Sequence, residues 1–237
     1  MIITNDGNNN LKKTLQELIP NSKEVKILVG YCHFSGIKEL HETLKKLYNE
    51  GRLSREHIKI LIGLHNTDEN RNMKKKDRFI QDLKDSVVNS VEKAFTNQEL
   101  DDEDIHEQVS FFVKLLKEKI IVIKKTIEPN HAKVYLFRTK EKSAPNLFII
   151  GSSNLTRSGL VDQNELNIPI QDDDRFREVE KYFDKLWGNA ILLSENDIRR
   201  LDETLSYYNE SSSLKTKEKE KRDTAIKHNK KILCKIC

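Results

Sequence analysis

No stretch of this 237-residue chain reaches the ~18 unbroken apolar residues that a membrane-spanning helix requires, and Met1 to Gly7 (MIITNDG) lacks both the basic start and the apolar stretch of a secretion signal. Cysteine is scarce. Cys32, Cys234 and Cys237 are an odd number without framework spacing, which excludes a secreted disulfide scaffold and fits a reducing compartment. A soluble, cytoplasmic protein is expected.

Charge of one sign is lacking where it would matter most. The net charge is +4, but Leu214 to Cys237 holds nine Lys/Arg against three Asp/Glu, leaving about −2 for everything before it. Bulk charge therefore gives no reason for the folded part to grip a polyanion, and any such role must come from a local site. What is present suffices for a core: 36% of residues are hydrophobic, and the 34% that are charged, against about 25% in an ordinary domain, imply a polar surface rather than disorder.

Periodicity predicts a strand over Glu24–Cys32, a helix capped by Ser35 that runs on Ile37, Leu40, His41, Leu44, Leu47 and Tyr48 to Gly51, and a strand over His57–Leu64. Two helices are expected next, on Phe79 to Phe95 and on Ile105 to Leu116. The six acidic residues of QELDDEDIHE read as a solvated connection rather than a metal site. Three strands in quick succession (Lys119–Ile127, His131–Arg138, Asn146–Ser153), a short strand Glu165–Ile170 and two closing helices complete the body. In the first closing helix Phe176, Val179, Tyr182, Phe183, Leu186 and Trp187 are expected inward; the second is capped by Ser194 with Asp197. This order predicts an α/β fold, a mixed β-sheet flanked by helices, over residues 1–209. Residues 210–237 read as a Lys-rich linker or tail. Its closing Cys234 and Cys237 are either half of a zinc ribbon in a longer protein or surface thiols.

One local constellation carries chemistry. His-x-Lys occurs three times, at His57-Lys59, His131-Lys133 and His228-Lys230, and composition alone predicts about one such pair. Only the second is followed, about twenty residues later, by a strand ending in Gly151-Ser152-Ser153-Asn154; Gly-Ser-x-Asn is expected by chance about 0.04 times in a chain of this composition. Strand alternation would put His131, Lys133, Tyr135 and Phe137 on one face, and Glu165 adds a carboxylate eleven residues past Asn154. Cys32, His33 and His65 are too poorly spaced for a metal site.

These residues resemble the HKD motif of the phospholipase D-like superfamily, which reads His-x-Lys, four residues, Asp, then Gly-Ser-x-Asn and a later Glu. The match is to His131, Lys133, Ser152 or Ser153, Asn154 and Glu165, and is similar to the single-motif nucleases and metal-independent restriction endonucleases of that superfamily. The order of elements, with YCHFSG after the first strand, also resembles the modules fused to helicases. Arg138 stands where the family has its Asp, which in the family is mainly structural.

The resemblance implies a phospholipase D-like fold, no cofactor or metal, and a DNA endonuclease acting through a phosphohistidine formed on His131. His131, Lys133, Asn154 and Glu165 would be catalytic, with Ser152, Ser153 and Lys133 on the substrate phosphate. Among nearby cations Arg138, Arg157 and Lys140 are candidate DNA contacts, with Lys124, Lys125 and Lys142 in the same local patch. The reaction needs two imidazoles and only one complete motif is present, so a homodimer sharing the site is expected, with a helicase or restriction module as a further candidate partner. Two alternatives stay open: a lipid phosphodiesterase, which would usually need an apolar membrane-facing surface or a secretion signal, and a non-catalytic DNA-gripping module.

Overall fold

The computed structural model describes residues 2–63, 87–91, 102–141, 144–203 and 205–206. Helix α1 (Leu11–Leu18) opens the chain, capped by the Asn10 side chain, which accepts a hydrogen bond from Lys13 N. The sequence reading has no helix there, because its inward residues Leu11 and Leu15 are spaced too sparsely to announce one. Strand β1 (Ser22–Val29) is followed by α2 (Phe34–Lys38) and α3 (His41–Asn49). The single helix expected from Ser35 to Gly51 is thus two, and the residue before the first turn is His33 rather than Ser35. Then come β2 (Ile58–Ile62), α4 (Asp102–Lys117), β3 (Ile121–Lys125), β4 (Val134–Thr139), β5 (Leu147–Gly151), β6 (Asn167–Gln171), α5 (Asp173–Asn189) and β7 (Ile191–Leu192). Residues 195–203 are helical, and Ser194 and Asp197 cap them reciprocally, as expected.

The sheet order is β6-β5-β4-β1-β2-β3-β7. Strands β1, β2 and β3 are parallel, as crossovers through helices require, while β4, β5 and β6 run antiparallel through short connections. The mixed sheet flanked by helices is the α/β architecture that the sequence predicts. The near-continuous apolar runs of β1 and β2 follow from burial on both faces. One core lies between the sheet and α1 to α4 and takes Tyr135 and Phe137 of β4; the other, under α5, takes Val134 and Leu136.

Helix α5 starts at Asp172, whose carboxylate accepts from the Asp174 and Arg175 amides. Phe176, Val179, Phe183, Leu186 and Trp187 face the sheet. Tyr182 does not: about 120° round the helix from Phe176, it is 46% exposed. The expected Phe79–Phe95 helix is described only at 87–91, and His65, Lys142, residues 98–101 of the acidic connection and the tail 210–237 with Cys234 and Cys237 lie outside the described residues.

Candidate active site

The carboxyl ends of the parallel strands β1, β2 and β3 meet the start of β4, the end of β5 and the start of β6 at one rim of the sheet, where open α/β sheets bind ligands. The loop entering β4 is fastened there on three sides. Asn130 N donates to Gly63 O (2.7 Å), Asn130 Oδ1 accepts from Ala132 N (2.9 Å), and Asn130 Nδ2 donates to the Tyr182 hydroxyl (2.6 Å). A Cβ on Gly63 would lie 2.1 Å from the Asn130 carbonyl oxygen, so this approach requires glycine. His131 and Lys133 therefore precede β4 instead of sitting within it, and strand alternation begins at Val134.

His131 is exposed and Lys133 is buried at 6% exposure. The Lys133 ammonium donates to the His131 carbonyl oxygen at 2.8 Å and lies 3.0 Å from Nδ1 of the ring, so a fixed cation abuts the imidazole. Burial pulls the Lys133 pKa below the ordinary lysine value, and the Glu165 charge pulls it back up.

The second half of the motif is tied to the first by Gly151 N, which donates to Lys133 O (3.2 Å). The three polar residues of this turn divide sharply. Ser152 is exposed; its hydroxyl donates to the Glu165 carboxylate and accepts from Leu166 N at 3.0 Å. Ser153 is fully buried, its Oγ accepting from Asn167 Nδ2 (2.9 Å) and its carbonyl from the Tyr135 hydroxyl (3.1 Å). A substrate phosphate cannot reach it, and of the two serines only Ser152 faces outward. Asn154 Oδ1 accepts from Tyr31 N (3.0 Å), which fixes the amide and leaves Nδ2 as a donor. Glu165, the candidate catalytic carboxylate, hydrogen-bonds Ser152 and acts on Lys133 through its charge.

Two of the expected DNA contacts lie away from this rim. Arg138 is five residues up β4 from Lys133, ~16 Å along a strand; its side chain pairs with Glu180 of α5, and its Nε lies 3.6 Å from Glu24 of β1. Glu180 also takes Lys26 (2.9 Å), forming a part-buried network that docks α5 on the sheet. Lys140 donates to the Pro20 carbonyl at 2.9 Å. Arg157 stays near the motif but is engaged by Asp162 and Glu39, each at 3.2 Å. Lys124 lies over the Trp187 ring at 4.6 Å, and Lys125 is buried. His57 is buried at the opposite end of β2, with its pKa pushed down to about 4 mainly by desolvation, and Cys32 is buried with its thiol pushed up to about 12 by desolvation.

Sequence reasoning missed Asn130, Tyr182, Tyr31 and Asn167 as site-building residues; only the place of Asn130 directly before the histidine hinted at one of them. Among the described residues no three or more His, Cys, Asp or Glu side chains gather as a metal-binding group, and no helix is long and apolar enough to cross a membrane.

The family model described as cardiolipin synthase, PLD-like domain, matches residues 15–187. The chain belongs to the phospholipase D-like family. Membership places this phospholipase D-like chain among phosphodiester-cleaving enzymes. No curated protein sequence matches it significantly. Among solved structures it is similar to NucT from Helicobacter pylori (12% identity, 76% of this chain and 89% of that one, TM-score 0.43). It is also similar to the phospholipase D family member Nuc from Salmonella typhimurium (12% identity, 76% and 89% coverage, TM-score 0.40). A third likeness is to the archaeal chromatin protein TrmBL2 (12% identity, 81% and 52% coverage, TM-score 0.40). These are distant likenesses, and the family assignment rests on the match over 15–187.

Proposed function

We propose that this chain is a metal-independent nuclease of the single-motif branch that cleaves DNA phosphodiesters through a phosphohistidine, with its site shared by two copies. The observation that carries the reading is the exposed His131 imidazole held against the buried Lys133 ammonium on the rim that also presents Ser152, Asn154 and Glu165. Residues 1–209 would form the nuclease domain and 210–237 a basic tail, with a restriction or helicase module as the partner class.

In the proposed reaction a ring nitrogen of one His131 attacks phosphorus while the second copy's His131, protonated, gives its proton to the departing alkoxide oxygen. A P–N bond forms as the P–O bond breaks. The second imidazole, now neutral, takes a proton from water, whose oxygen attacks phosphorus and releases the first ring. Lys133 and the Asn154 amide stabilise charge on the nonbridging oxygens, the interaction that contributes most when it is fixed in advance. Glu165, through Ser152, keeps negative charge near the lysine and supports the imidazolium.

The test is cleavage of labelled DNA by the purified chain in excess EDTA, beside an assay on a phosphatidyl substrate. Cutting of DNA in EDTA that disappears with His131→Ala supports the reading. Activity that is lost on chelation and restored by magnesium overturns the mechanism, and turnover of lipid alone overturns the substrate.

A further inference from the structure

Tyr182 breaks the pattern of its helix. The other large apolar residues of α5, Phe176, Val179, Phe183, Leu186 and Trp187, face the sheet, whereas Tyr182 is 46% exposed. Among the described residues it is the only exposed aromatic side chain. At about 100° per residue it stands ~160° round the helix from both Glu180 and Asp184. Those two carboxylates hold Lys26, in the middle of β1, at 2.9 and 2.8 Å. The flank opposite them turns towards the rim, and there the Tyr182 hydroxyl accepts from Asn130 Nδ2 at 2.6 Å. His131 is the next residue, its Cα about 3.8 Å further along the chain.

That bond fixes the ring before any substrate arrives. Asn130 is itself held by Gly63 and Ala132, and the Lys26 clamp holds the helix, so the tyrosine is anchored at both ends. Any polar side chain long enough would serve the hydrogen bond; the exposed ring has no part in it. A ring held in advance loses little entropy when a flat partner packs on it. Beside a scissile phosphate in DNA that partner is a base, and stacking of a base on an aromatic side chain contributes about 1–3 kcal/mol whichever base it is. The acyl chains of a phosphatidyl substrate have no flat face to match the ring.

We infer that Tyr182 is the stacking platform for the base of a nucleotide flanking the phosphate that His131 attacks. It is then a substrate-positioning residue, and the base it holds must be unpaired. This rests on the nuclease reading above.

The test is cleavage of end-labelled single-stranded oligo(dT) carrying one abasic nucleotide, in excess EDTA, by the wild type, Tyr182→Phe and Tyr182→Leu, read position by position. The wild type should cut a phosphate adjoining the abasic nucleotide about tenfold less than phosphates elsewhere in the strand. Tyr182→Phe keeps the ring and should keep this gap, even as loss of the hydroxyl lowers turnover at every position. Tyr182→Leu should abolish the gap and raise KM for the unmodified strand about tenfold. A wild type that cuts evenly past the abasic nucleotide overturns the platform and leaves the nuclease reading intact. So does a gap that survives in Tyr182→Leu, or a loss confined to kcat in that variant, which would show the residue acting through Asn130 alone. The wild-type pattern needs no variant, so it decides even where Tyr182→Leu fails to fold. A wild type that leaves DNA uncut, or turns over only a phosphatidyl substrate, sinks the nuclease reading and the platform with it.

Discussion

Arg138, at the far end of the motif strand, is salt-bridged to Glu180 of α5, so the position where the family carries an aspartate holds a cation whose acid comes from another element. Burial raises the Glu180 pKa, but Lys26 and Arg138 together bring it below the usual carboxylate value. The pair joins β4 to the helix that also positions Tyr182.

Removing the arginine leaves a buried carboxylate short of a partner. Arg138→Ala should lower stability by about 2–3 kcal/mol, and the double variant Arg138→Ala/Glu180→Gln should lose clearly less than the sum of the two single ones. Chemical denaturation measures both. The salt dependence of DNA binding should stay as in the wild type; a shallower slope would show that Arg138 reaches phosphate after all.

Lys133 gives a pH prediction for catalysis. Burial lowers its pKa, and a group with a lowered pKa loses its proton at a lower pH, so the alkaline limb of kcat/KM should fall before the ordinary lysine value of 10.5. Glu165 opposes that shift. Glu165→Gln should therefore move the limb further towards neutrality, besides lowering turnover, and a limb that moves upward instead would contradict the electrostatic coupling of the two residues.

His57 gives one for stability. Its folded pKa of about 4 lies below the ordinary 6.5, so between these values the unfolded chain binds the extra proton. The folded state is unpenalised above pH 6.5, loses stability as the pH falls towards 4, and forfeits up to about 3 kcal/mol in all. The acid decline of the melting temperature should be shallower in His57→Leu, which also removes the partnerless buried Nε2. DNA cleavage at neutral pH should be unaffected, because His57 lies at the opposite end of β2 from the rim.

The apolar runs of β1 and β2 and the spacing of α4 made the sheet and its helical cover readable, because burial on known faces leaves a period in the sequence. His131, Lys133, Ser152 and Asn154 stood out for a different reason: their order is improbable by composition. What escaped is long-range. The Asn130–Tyr182 hydrogen bond spans 52 positions and the Arg138–Glu180 pair 42, and neither leaves a local pattern. The burial of Ser153 beside an exposed Ser152 depends on Asn167 of the neighbouring strand. The alternation that put His131 and Lys133 inside a strand failed because the Asn130 turn delays β4 to Val134.

That turn supplies the last prediction. Gly63 ends the path of β2 at the rim, and its carbonyl accepts from Asn130 N at 2.7 Å. A methyl group added there would sit 2.1 Å from the Asn130 carbonyl oxygen, a backbone atom that cannot swing aside. The loop must shift, and His131 follows Asn130 directly. A displacement near 1 Å at a catalytic group is enough to reduce turnover about a hundredfold while the sheet, which carries the cores, stays assembled. Gly63→Ala should therefore lower kcat about a hundredfold, leave DNA affinity nearly unchanged, and reduce the melting temperature by only a few degrees. Asn130→Ala, which releases the same loop without crowding it, should have a smaller effect in the same direction. If Gly63→Ala cuts DNA normally, the anchored approach of these two loops does not set the position of His131.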